Sequence, residues 1–111
     1  MTADPNEIEP FILGKVISGS FHPALWKTEQ GALAVTLFLS RESALQYKSL
    51  FEDENWLILQ PQKSVLRDIL ALASQSQIHL AVLEPSQSTA KRIFSIPQLL
   101  ESYDRIRVAP H

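Results

Sequence analysis

Apolar residues recur at helical spacing near the start of the chain, at Ile8, Ile12, Leu13, Val16 and Ile17. Asn6 stands where an N-cap is wanted, Glu7 and Glu9 suit a first turn, and Pro10 is early enough to be tolerated. Gly19 then falls at the left-handed position that closes helices, so the spacing predicts a helix over residues 6–18. Two apolar runs follow, 24–28 and 32–39, separated by Glu29, Gln30 and Gly31, which predicts a β-hairpin with the glycine at positive φ. In the second arm Leu33, Val35, Leu37 and Leu39 alternate with Ala34, Thr36 and Phe38. Both faces are mostly apolar, the pattern of a central strand covered on both sides.

Ser40 can cap a helix that carries Ala44, Tyr47, Leu50 and Phe51, and the acids Glu52, Asp53 and Glu54 end it. Residues 56–60 predict a short strand closed by Pro61. Ser64 can cap a second helix, with Val65, Leu66, Ile69, Leu70 and Ala73 along one face. Residues 78–83 and 92–96 predict two more strands around a turn at 85–89. Pro97 opens a last helix holding Leu99, Leu100 and Tyr103, and residues 105–111 read as a tail. The predicted order is α-β-β-α-β-α-β-β-α, an α/β (α+β) fold. Strands that alternate with helices should run parallel through right-handed crossovers. Hairpins at either end make the sheet mixed, with about five strands.

Composition narrows the function classes. At 111 residues the chain is the size of one domain, residues 1–111, with 45% hydrophobic and 20% charged residues. Such a core supports about 5–10 kcal/mol of net stability. Ten basic against twelve acidic side chains leave a net charge of −2, without the basic excess that phosphate binding needs, so nucleic acid is not an expected partner. With no cysteine, disulfides, thiolate zinc sites and thiol chemistry are excluded. No run approaches the length of a membrane span, and residues 1–10 do not resemble a signal peptide, so the expected location is cytoplasmic.

No residue constellation spells a catalytic site. His22 precedes a proline in a loop, His79 sits among apolar strand residues, and the serines fall at caps and turns. The acids at 52–54 are adjacent, without the alternate spacing of a calcium loop. Gly14, Gly19 and Gly31 occupy no strand–helix junction of the kind that cradles phosphate. The expectation is therefore no catalytic residue, no metal and no cofactor. Two places remain. The carboxyl ends of the strands that alternate with helices would carry Arg41, Gln60 and Glu84, a possible small-molecule crevice. Trp26 and Lys27, in the outer arm of the first hairpin, would lie on a sheet edge open to pairing with another chain.

The succession from Phe11 to Tyr103 resembles small bacterial domains of the SseB-like N-terminal type and a related short family of unknown function. The matching pieces are a tryptophan-bearing hairpin ending in "ALAVTLFLS", the helix "RESALQY", a leucine-rich helix, the strand "IHLAVLEP" and the closing "FSIPQLL". The resemblance implies a mixed-sheet fold and transfers no catalytic residue. The expected function is a non-enzymatic protein-interaction or self-association module, a homodimer or a partner complex with Trp26 near its centre. The alternative is a small-molecule-binding regulatory domain.

Overall fold

Phe11–Ile17 forms a β-strand (β1), where helical spacing predicts a helix. In the computed structural model, which describes residues 9–52, 55–86 and 90–108, Ile12 and Leu13 are both fully buried but belong to different core clusters. Adjacent residues buried on opposite sides are the mark of a strand covered on both faces. Ser18 at φ 52° and Gly19 at φ 81° turn the chain back into β2, Ser20–Pro23. Positive φ at both central residues is the type I′ turn of a tight hairpin. Gly19 is thus left-handed as expected, but in a hairpin. Within that hairpin Gly14 faces Pro23. A Cβ on Gly14 would strike the Phe21 ring and lie 2.7 Å from the His22 carbonyl oxygen, so its absence lets Phe21 fold across β1.

The expected hairpin at Gly31 is present. β3 (Leu25–Lys27) pairs antiparallel with β4 (Leu33–Phe38). Thr28 and Gly31 (φ 87°) close its turn through the bond from the Gly31 N–H to the Thr28 carbonyl. β1 also pairs with β4, but only at Phe11↔Phe38 and Ile12↔Leu37. Ala24 sits where the two strands part. Its N–H donates to the Leu13 carbonyl at 2.7 Å, and its own carbonyl accepts from the Thr36 N–H at 3.2 Å and the Thr36 hydroxyl at 2.9 Å. The chain thereby passes from pairing with β1 to pairing with β4. Thr36, the buried polar residue at the centre of β4, has its hydroxyl satisfied in doing so.

Ser40 caps α1 (Arg41–Lys48) as its position predicts, its side chain accepting from the Ser43 N–H. β5 (Leu57–Leu59) pairs antiparallel with residues 12–14 of β1. It is therefore not a neighbour of β4, although both strands, each antiparallel to β1, point the same way. α2 (Lys63–Gln75) starts one residue before Ser64, with Gln62 at the cap position and no side-chain cap bond. The cap expected at Ser64 is not made. At the other end Gln77 takes φ 72°, the Ile78 N–H reaches the Ala73 carbonyl and the Gln77 N–H the Ser74 carbonyl, a Schellman closure with glutamine in the usual glycine place. β6 (Leu80–Leu83) lies parallel to β4, and β7 (Arg92–Ser95) antiparallel to β6. α3 (Ile96–Val108) follows directly, with Pro97 as its second residue, and residues 105–108 continue it instead of forming a tail. The expected cap at Asn6, the acids Asp53 and Glu54, turn residues 87–89 and residues 109–111 lie outside the described residues.

The result is an α+β fold; the described residues form one mixed sheet of seven strands in the order β2-β1-β4-β6-β7, with β3 on β4 and β5 on β1, and three helices. One core cluster joins Ile12, Val35, Leu37, Ala81 and Leu83 to Leu66, Leu70 and Ala73 of α2 and Ile96 and Leu99 of α3. The other joins Leu13, Ala24 and Phe38 to Ala44 and Tyr47 of α1. An aromatic series extends it. Phe38, Tyr47, Phe51 and Trp56 follow one another at centroid spacings of 5.5, 5.6 and 4.8 Å, and the Lys15 ammonium lies 4.7 Å over the Trp56 ring. No helix among the described residues is long and apolar enough to cross a membrane.

Candidate functional site

The carboxyl ends of β4 and β6 do meet a cavity, of about 450 Å³, floored by α1. Glu84 enters it at φ 52°. Its N–H continues the parallel ladder to the Leu37 carbonyl at 2.8 Å, and its Oε1 accepts from the Leu39 N–H at 3.2 Å. Ser43, Gln46 and Tyr47 of α1 face it, and Leu50 just beyond the helix, Pro85 and Ser86 complete the wall. The Tyr47 hydroxyl points to the Leu25 carbonyl at 3.4 Å, and burial raises the phenol above its ordinary pKa. Of the three crevice candidates, Glu84 alone lines this cavity. Arg41 is exposed at the first position of α1. The Gln60 amide donates to the Glu9 carbonyl at 2.9 Å, beyond β5 on the far side of β1.

Trp26 and Lys27 separate in the same way. Trp26 is half-buried against the α1 cluster, and its indole N–H donates to the Ser86 carbonyl at 2.8 Å. Lys27 is exposed opposite Leu33. The tryptophan is thus tied to Ser86, which lines the strand-end cavity.

A second concavity was not anticipated because one of its walls, β2, was not. It is an apolar groove of about 570 Å³ between β2 and α2. Phe21, Pro23 and Leu25 of one side meet Ile69, Leu72 and Ile78 of the other, and among the described residues the lining holds no Asp, Glu, Lys or Arg. Leu72 is 62% exposed and belongs to the stripe Val65, Ile69, Leu72 at helical spacing on α2, beside the buried stripe Leu66, Leu70, Ala73. Across the groove Val16 pairs with Phe21 and shares its face. Leu57 and Leu59, opposite Gly14 and Ile12, lie on that face too. Val16 is 58% exposed, and Leu57 and Leu59 are also open. One signal was available: α2 carries more apolar residues than a single buried stripe requires.

The titratable groups assemble into nothing comparable. Among the described residues no group of three or more His, Asp or Glu could hold a metal. Ser74 Oγ lies 3.3 Å from His79 Nδ1, but neither residue lines the groove or the strand-end cavity. His22 is exposed on the rim of the groove. The chain matches no known family model and no curated protein.

Proposed function

We propose that the chain is a non-enzymatic interaction module that associates with a second copy of itself through the groove between β2 and α2. One observation carries the reading: an apolar hole and an apolar knob lie side by side on one face. The hole is the groove under Leu72. The knob is Val16, near the tip of the β1–β2 hairpin and 58% exposed on the face it shares with Phe21. A two-fold contact uses the same patch on both copies, so it needs both shapes within that patch. The uncharged lining removes like-charge repulsion between copies and disfavours a charged partner segment.

Backbone pairing along β2 is a weaker route. In the β1–β2 ladder Phe21 is the non-hydrogen-bonded partner of Val16, so its N–H and carbonyl face outward, while the next outward position is Pro23, without an N–H. Side-chain packing therefore carries the contact. The resemblance to SseB-like N-terminal domains belongs to the same proposal and adds no active site. The absence of cysteine makes a direct test simple. A Val16→Cys variant mixed with a Leu72→Cys variant, treated with a short bismaleimide, should give a crossed dimer. Leu45→Cys, exposed on α1, should not cross-link with either. Equal cross-linking at Leu45 would count against the groove.

A further inference from the structure

We infer that the cavity at the carboxyl ends of β4 and β6 is a site for a small primary alkylammonium ligand, with Glu84 as its counter-ion. This stands apart from self-association, since the cavity uses α1 and the loop after β6, and the groove uses β2 and α2.

Charge and donor balance select the ligand. Among the described residues seven line the cavity, and of these Glu84 alone is ionic. The Tyr47 phenol is neutral near pH 7 and adds no charge. One carboxylate oxygen of Glu84 is engaged by the Leu39 N–H, which leaves the second as an acceptor. The Ser43 hydroxyl donates to the Ser40 carbonyl and lies 3.0 Å from the Ser40 hydroxyl, so toward a ligand its oxygen can only accept. The Tyr47 hydroxyl likewise points its proton at Leu25. The Gln46 side chain, exposed on the rim, supplies a carbonyl. An anion entering here meets the Glu84 carboxylate, a like charge. A neutral alcohol desolvates that carboxylate without replacing its charge partner. A primary ammonium brings three N–H donors and the compensating charge. Leu50 and Pro85 are the apolar side of the cavity and fit a short alkyl stem. Glu84 itself occupies the left-handed region at φ 52°, a conformation costly for a non-glycine residue and one that concentrates at ligand sites.

Three probes of one chain length separate these terms: butylammonium, butanol and butyrate, at matched ionic strength, followed by the amide resonances of Gln46, Tyr47, Glu84 and Ser86. Butylammonium should shift them saturably, and the other two should not. Glu84→Gln keeps the acceptor for Leu39 and removes the charge, so it should weaken butylammonium about tenfold or more. Should that variant not fold, Gln46→Glu, an exposed helical substitution, places a second carboxylate on the rim and should tighten binding several-fold. Non-saturating shifts, an equal response to butanol, or unchanged affinity in the folded Glu84→Gln or Gln46→Glu protein would overturn the assignment.

Discussion

The Trp26 indole and the Ser86 carbonyl, 60 residues apart in sequence, are joined by a hydrogen bond of 2.8 Å. It ties the outer arm of the β3–β4 hairpin to the segment leaving β6, and it turns the edge tryptophan from a free anchor into a fixed contact. Trp26→Phe keeps most of the packing and loses the bond, which should cost about 1 kcal/mol. Trp26→Glu places a charge against the α1 cluster and should abolish cooperative folding. Urea titration followed by circular dichroism reads both. A folded Trp26→Glu protein with a wild-type midpoint would show that the indole does not hold the hairpin.

Leu70 and Leu72 stand two residues apart on α2 with opposite fates. Leu70 is fully buried in the larger core cluster, whereas Leu72 is open. Leu70→Ala should destabilise by about 2–5 kcal/mol. Leu72→Ala should stay within about 0.5 kcal/mol. Similar midpoints for the two variants would mean that the helix is rotated from the face described.

Gly14 matters through Phe21. Gly14→Ala forces the ring and the β2 backbone away from β1, at a cost of about 1–3 kcal/mol. Shrinking the ring relieves part of the clash, but the backbone contact with His22 remains. In a double-mutant cycle, Gly14→Ala should therefore cost less in a Phe21→Ala background than in wild type. Strict additivity would show that the ring does not lie over Gly14.

The elements that could be read from the chain are those whose signals are local. Ser40 before α1 and Gly31 in its hairpin are single residues whose chemistry specifies a cap and a turn. The doubly apolar run of β4 needs no partner to be recognised as central. β1 carries a helical signature because Ile8, Ile12, Leu13, Val16 and Ile17 satisfy a helical period, while the fact that decides for a strand, burial of Ile12 and Leu13 on opposite faces, is tertiary. The β-branched character of Ile12, Val16 and Ile17 and the Ser18–Gly19 turn pair were the local counter-signals. With β2 unseen, the groove had one wall and could not be found. The strand-end cavity was partly legible, since Glu84 follows from β6 alone. Gln60 belongs elsewhere because β5 joins β1, a pairing that helix–strand alternation does not reveal.

Tyr47 gives the fold an alkaline limit. Burial raises its pKa above the ordinary 10.0, so the unfolded chain releases the phenolic proton first as pH rises. The stabilising contribution is therefore complete below about pH 10 and is lost as pH climbs through the folded-state value. Wild type should lose stability between neutral pH and pH values above 10 more steeply than Tyr47→Phe. Parallel pH profiles of the two proteins would contradict this.

Self-association through the groove is the central claim, and sedimentation equilibrium over a wide concentration range tests it most directly. Wild type should fit a monomer–dimer equilibrium. Leu72→Glu, which puts a carboxylate into an uncharged groove from an exposed position, should remain folded by circular dichroism and sediment as a monomer. A wild-type protein that stays monomeric at every concentration, or a folded Leu72→Glu protein that dimerises as well as wild type, would contradict it.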